Sequence, residues 1–185
     1  MKEGDLILRS IEAASKHTFL PIVGKDKGSL LENVVRARKP KFALEIGTLV
    51  GYSGILIARN LPKESKLITI EFDRNNAAMA AQNFKKANVS DRIKIIFGDA
   101  RKIIPKLDSK FDFVFIDAEK KQYFSYIKLL EKHGLLSPDA VVLADNVKIF
   151  AGEMKKYLDY VRESGKYRNK HYDFGWDGME LSRAV

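Results

Sequence analysis

The stretch Ala43-Leu44-Glu45-Ile46-Gly47-Thr48-Leu49-Val50-Gly51-Tyr52-Ser53 reads as a buried strand, a sharp glycine turn and the first turn of a helix. Phe42, Leu44 and Ile46 alternate with Ala43 and Glu45, the period-two pattern of a pleated segment. Gly47 and Gly51 permit backbone angles and close approaches that a Cβ would block. Ser53, Ile55, Leu56 and Ala58 continue at helical spacing until Asn60 and Pro62 end the run. A glycine turn between the carboxyl end of a strand and a helix N-terminus is where open α/β sheets bind nucleotides. The full G-x-G-x-x-G fingerprint is missing, and an ordinary strand-to-helix connection explains the turn alone equally well.

Working outward, strand and helix alternate. Upstream, Ile7, Ile11 and Ala14 predict an amphipathic helix over 6–16, and Thr18 to Gly24 an extended apolar segment. Ser29 and Glu32 form a capping-box pattern that predicts a second helix, closed by Arg36, Arg38, Lys39 and Pro40. Downstream, strands are predicted over Lys66–Glu71, Ile93–Phe97, Phe111–Asp117 and Ala140–Asp145, with helices over 74–87, 123–132 and 151–163. A short helix around Ile103 is cut by Pro105, and two strand-like pieces lie around Tyr172 and Leu181. This order predicts an α/β, Rossmann-like, doubly wound and mostly parallel sheet. The 185 residues suit one domain, with 1–39 as a helical cap region and 40–185 as the core.

Composition narrows the chemistry. Hydrophobic residues at 45% and charged residues at 31% are the balance of a soluble globular chain, and no apolar run could span a bilayer. Met1 to Asp5 mixes charges without an apolar core behind it, so no secretory leader and a cytoplasmic location are expected. The absence of cysteine excludes disulfides and thiolate chemistry, and His17, His133 and His171 are scattered. A metal here should be hard and oxygen-liganded, with magnesium the natural choice. The net charge of +9 raises RNA as a partner, but the lysines are dispersed among acids, as on a solvated surface. A homodimer is a further option.

The acids fall at predicted strand ends: Glu71, then Asp99 after Gly98, then Asp117, then Asp145 with Asn146. A single such acid is commonly a helix cap. Glu71, however, lies at the distance past a glycine turn where a carboxylate accepts both hydroxyls of a ribose. Several acids along one rim repel each other unless a cation sits among them. Asp117, Asp145 and the amide oxygen of Asn146 make a three-oxygen half-shell for Mg²⁺. Lys120, three positions after Asp117, can lean over the same pocket, where a divalent cation would favour its neutral, proton-accepting form.

These residues sit in segments that together resemble S-adenosylmethionine-dependent O-methyltransferases of the catechol and caffeoyl-CoA type. The matching pieces are Val23-Gly24 with Lys27-Gly28, Leu44-Glu45-Ile46-Gly47 with Gly51-Tyr52-Ser53, Ile70-Glu71 and Gly98-Asp99-Ala100. Phe115-Ile116-Asp117 with Lys120, Gly134-Leu135-Leu136, Leu143-Ala144-Asp145-Asn146-Val147 and Asp177-Gly178-Met179-Glu180 follow in the family's order. The resemblance implies seven strands, the last antiparallel. It implies S-adenosylmethionine bound among Val23, Glu45, Gly47, Tyr52, Ser53, Glu71, Gly98, Asp99, Ala100 and Asp117, with Glu71 at the ribose and Gly98 to Ala100 at the adenine. It further implies Mg²⁺ on Asp117, Asp145 and Asn146, Lys120 as general base, and Glu180 on a second hydroxyl of the acceptor.

The expected activity is methyl transfer to a small catechol-like or phenolic acceptor. A hydroxylated nucleobase in RNA is the alternative acceptor, and a noncatalytic nucleotide-binding protein on the same fold is the alternative class. Where the family's animal catechol enzymes place an aromatic wall before the lysine, this chain has Glu119, and Lys148 and Phe150 occupy the loop after the Asp-Asn pair.

Overall fold

The structure is a computed structural model describing residues 3–185; Met1 and Lys2, part of the Met1 to Asp5 stretch read above, lie outside the described residues. Seven strands form one sheet: β1 (Phe42–Ile46), β2 (Lys66–Glu71), β3 (Ile93–Phe97), β4 (Phe111–Ile116), β5 (Leu136–Ala144), β6 (Tyr167–Asp173) and β7 (Gly178–Ala184). Their order is β3-β2-β1-β4-β5-β7-β6. The first five pair in parallel, and β7 runs antiparallel to both β5 and β6. The expected mixed sheet with an antiparallel last strand is what the chain forms.

Alternation along each strand builds two cores. Ala43, Leu67, Phe113, Phe115, Val141 and Leu143 face one side. There α1 (Glu3–Ser15), α2 (Gly24–Arg38), α3 (Tyr52–Asn60) and α4 (Arg74–Lys86) cover them. Leu44, Ile46, Ile70, Val114, Ile116 and Val142 face the other side, under α5 (Ala100–Ile103), α6 (Tyr123–Lys132) and α7 (Lys155–Glu163). Sheets covered on both faces need apolar residues at nearly every central position, and β4 is buried along almost its whole length. Among the described residues no helix is long and apolar enough to cross a membrane.

Several boundaries differ from those expected: α1 covers Glu3–Ser15 instead of 6–16, α7 begins at Lys155 instead of 151, and α2 and β5 both start early. Helix α2 begins at Gly24, so Ser29 and Glu32 lie inside it and the capping box goes unused. The early start follows from burial: Lys27 and Gly28 pack inward, and a Cβ on Gly28 would stand 2.9 Å from Leu56. Strand β5 begins four residues early, at Leu136, and passes Asp139 in the left-handed region, with a register break opposite Phe111 and Phe113.

Register sets the rim. Ile46 pairs with Ile70 and Ile116, and Ile116 with Ala144, so these strands end level. The next amides continue the ladder: Gly47 N–H donates to the Ile70 carbonyl (3.0 Å), Asp117 N–H to Ile46 (2.9 Å) and Asp145 N–H to Ile116 (3.0 Å). Gly47 has φ +98°, and an added Cβ would lie 2.0 Å from the Asp117 carbonyl oxygen. Only glycine allows β1 to turn this close to β4.

Beneath the turn, Glu45 is wholly buried and accepts a 2.6 Å hydrogen bond from the Thr69 hydroxyl, which lies 2.5 Å from that of Thr48. Its Oε1 has no partner among the described residues. Burial drives the carboxyl from its ordinary 4.5 up to about 8; hydrogen bonds from Ser53 and Thr69 oppose this, and the charges of Asp117 and Glu71 reinforce it. Glu45 is therefore a neutral, hydrogen-bonding acid at pH 7.

Gly47→Ala should cost on the order of 3 kcal/mol or more of unfolding free energy, read by urea denaturation, because it adds both strain and overlap. Glu45 titrates near 4.5 when unfolded and near 8 when folded. Its stabilising proton is fully present below pH 4.5 and lost as pH rises through 8. Unfolding free energy should fall by about 1.4 kcal/mol per pH unit inside that window, and Glu45→Gln should remove that slope.

Candidate functional site

The level strand ends open into a cavity of about 840 Å³. On its β1–β2–β3 side, the wall includes Val23, Gly47, Tyr52, Ser53, Glu71, Gly98, Asp99 and Ala100. Glu71 staples the glycine turn: Oε2 accepts from the amides of Thr48 (3.0 Å) and Leu49 (2.7 Å), and Oε1 from Asp73 (2.9 Å). The carboxylate is thus fixed at the β2 end, where Glu71 lines the cavity with one acceptor site left on Oε1. Asp99 caps α5 through the Arg101 amide (2.9 Å) and pairs with its guanidinium (2.8 Å), which holds the carboxyl below its usual range. The Tyr52 hydroxyl donates to Glu12 on α1 (2.7 Å), tying the N-terminal helix to this wall.

Glu45 does not reach the cavity. Expected around the donor, it lies behind the turn, because its place in β1 turns it toward Thr69 in the sheet interior. Through Thr69 it connects to the Thr48 hydroxyl beneath the turn.

On the β4–β5 side, Asp117, Lys120, Asp145 and Asn146 line the same cavity. The Lys120 ammonium donates to Asp117 (2.8 Å) and to the Tyr123 hydroxyl (3.3 Å). Tyr123 is itself fixed by the Ile116 carbonyl (3.1 Å). Asp145 is almost entirely buried, and its carboxyl is pushed up to about 7, first by burial and then by the charge of Asp117, with Lys27 opposing. The raised proton affinity of Asp145 beside a second carboxylate marks a rim short of positive charge. Asn146, held at φ +63°, donates its side-chain amide to Asp177 (2.7 Å), and its Oδ1 accepts no hydrogen bond among the described residues.

Among the described residues no three His, Cys, Asp or Glu side chains could hold a metal by themselves, so a centre here depends on the Asn146 oxygen. The donor set of two carboxylates and one amide is hard and oxygen-only, and it carries unbalanced negative charge. It fits Mg²⁺.

Glu180, expected on the acceptor, is elsewhere. In β7 it lies opposite Ala144 and His171 and turns to the face covered by α7. There Arg162 grips it with two hydrogen bonds (2.9 and 2.8 Å), and His171 Nδ1 lies at 3.2 Å. The tail acid beside the site is instead Asp177, fully buried and bonded to Lys27 (2.5 Å) and Asn146. Burial would raise Asp177, but these hydrogen bonds and the Ile149 and Gly178 amides outweigh it and bring the carboxyl down to about 2. Lys27 and Asp177 were missed as site residues. The signal was present: both fall in segments that carry the family resemblance.

The mouth is apolar. Phe19, Ile149 and Trp176 line it while remaining 95%, 52% and 70% exposed, more than a folded surface needs.

Residues 3–168 match the model of an O-methyltransferase family. Catechol O-methyltransferase B of Danio rerio is 39% identical over 86% of this chain and 64% of its own length. The Sus scrofa catechol O-methyltransferase is 38% identical over 88% of each. The chain thus spans somewhat under two thirds of the zebrafish relative. Among solved structures, the O-methyltransferase TomG of Streptomyces achromogenes, in complex with SAM, aligns with TM-score 0.86 at 29% identity over 97% of this chain and 89% of that one. The Bacillus cereus O-methyltransferase, in complex with SAH, aligns with TM-score 0.86 at 25% identity over 100% and 91%. With sheet order, rim and sequence in agreement, the chain belongs to the O-methyltransferase family.

Proposed function

We propose that the protein transfers the methyl group of S-adenosylmethionine to a hydroxyl of a small catechol-like or phenolic acceptor, with Mg²⁺ as cofactor, in the cytoplasm. The observation that carries this reading is Lys120 Nζ, 2.8 Å from Asp117 in the same cavity as Asp145 and Asn146. Binding a nucleotide alone needs no amine beside that donor set. The S-adenosylmethionine-bound and S-adenosylhomocysteine-bound states of the structural relatives support the donor. The catechol enzymes among the sequence relatives support the acceptor class.

Glu71 suits the ribose, and the segment Gly98 to Ala100 suits the adenine, beside the exposed ring of Phe72. Val23, Tyr52 and Ser53 close the donor's methionine side. Asp117, Asp145 and Asn146 would hold Mg²⁺, which supplies Lewis acidity to the acceptor hydroxyl when bound. Lys120 in its neutral amine form takes the hydroxyl proton and becomes the ammonium, with Asp117 and Tyr123 holding its nitrogen in the cavity. The freed oxygen attacks the methyl carbon as the carbon–sulfur bond breaks, leaving S-adenosylhomocysteine. The sulfonium is already activated, so the protein's main contribution is alignment and exclusion of water. Phe19, Ile149 and Trp176 offer apolar contact to an aromatic ring, which favours a small phenolic acceptor over a phosphate-rich strand.

Transfer of tritiated methyl from S-adenosylmethionine to a phenolic panel, with bulk RNA in parallel, tests the reading. Catechols should be labelled, chelator should abolish labelling, and added Mg²⁺ should restore it. Labelled RNA with unlabelled catechols would contradict the acceptor class. Lys120→Ala should lower kcat by about 10²- to 10⁴-fold, with S-adenosylhomocysteine affinity unchanged by calorimetry.

A further inference from the structure

Lys27 and Asp177 form an ion pair inside the protein, with side-chain exposures of 4% and 0%. The single ammonium of Lys27 bridges Asp145 Oδ1 and Asp177 Oδ2 at 2.5 Å each. The Trp176 ring covers it, centroid 5.0 Å from Nζ. A buried pair of this kind is weak support for stability, since desolvation offsets most of the attraction. Its geometry suggests another purpose.

Asp145 Oδ1 is occupied twice, by Lys27 and by the Asn146 amide at 2.7 Å. Among the described residues Oδ2 takes part in no hydrogen bond and is left for a further partner. Asp177 Oδ2 accepts Lys27 and also the Asn146 side-chain NH₂ at 2.7 Å. With that nitrogen engaged, the Asn146 oxygen points the other way. Asp177 Oδ1 is anchored by the amides of Lys148 (3.3 Å) and Ile149 (3.1 Å), so the hub is fixed to the main chain. One ion pair therefore selects the free oxygen of both side chains at the end of β5.

We propose that the Lys27–Asp177 pair positions Asp145 and Asn146 as donors to a divalent cation, and so couples the cation site to α2, which carries Lys27. The proposal rests on the metal reading given above. Neither residue touches the reacting atoms; both are positioning residues. Partners of metal ligands commonly set affinity by 10- to 100-fold.

The test is Mn²⁺ binding, followed by the electron paramagnetic resonance of the free ion, with S-adenosylhomocysteine affinity measured alongside. The double variant Lys27→Met/Asp177→Asn leaves net charge unchanged, so a loss of Mn²⁺ affinity reports orientation rather than charge. The proposal expects at least a fivefold loss with S-adenosylhomocysteine affinity retained; a smaller loss overturns it while the metal reading stands. If the wild type holds no Mn²⁺, or Asp145→Ala holds it as well as the wild type, the metal reading fails and the proposal with it. Should the double variant not fold, Asp177→Glu keeps the charge and shifts the carboxylate by one methylene. The same fivefold loss is expected there, and a smaller one overturns the proposal.

Discussion

Two carboxylates, Asp117 and Asp145, are locked onto adjacent strand ends by the hydrogen-bond ladder of the sheet, and their repulsion governs what the rest of the site must supply. Neither can retreat, because each backbone amide is bonded to the strand beside it. Asp145 responds with a raised proton affinity, and the protein responds with two ammonium groups, Lys120 at Asp117 and Lys27 at Asp145. Lys27 is shared with Asp177, so the acids still outnumber the amines. The proposed divalent cation would offset that imbalance, with Asn146 adding a neutral oxygen and no further charge.

The same sheet positions the donor side. Because the register sets Ile46, Ile70 and Ile116 level, the glycine turn after β1, Glu71 at the end of β2 and Asp117 after β4 meet at one rim. Gly47 lets β1 leave the sheet against the Asp117 carbonyl, and Glu71 accepts the amides of the turn. Neutral Glu45 fills the space below without adding another negative charge to a crowded rim. Sequence, register and electrostatics thus converge on one cavity, where the proposed methyl donor, acceptor and cation would meet.

Much of this was readable from local pattern. The strand ends at Glu71, Asp117 and Asp145 announce themselves by apolar runs closing on an acid, and Lys120 lies close enough in sequence to be seen with Asp117. What stayed hidden depends on contacts across the chain. Glu180 and Asp177 are both acids of one short tail segment; antiparallel pairing of β7 with β5 decides that Asp177 meets the site and Glu180 meets Arg162. Lys27 sits in a charged run, Lys25-Asp26-Lys27, whose composition suggests a solvated face, yet only Lys27 is buried. The start of α2 misled for the same reason: Ser29 and Glu32 form a capping pattern, but packing of Gly28 on Leu56 extends the helix past it. Only the family resemblance puts Glu45 at the donor; its place within β1, which turns the carboxyl to Thr69, shows only in the folded sheet.

The central claim is that Asp117, Asp145 and Asn146 converge on one divalent cation beside the donor pocket. A crystal grown with Mn²⁺ and S-adenosylhomocysteine, with data collected at the manganese edge, tests it most directly. The account predicts one anomalous peak within bonding distance of both carboxylates and the Asn146 amide oxygen, with Lys27 still on Asp145 Oδ1. A site lacking that peak, or a peak held by other residues, would contradict it.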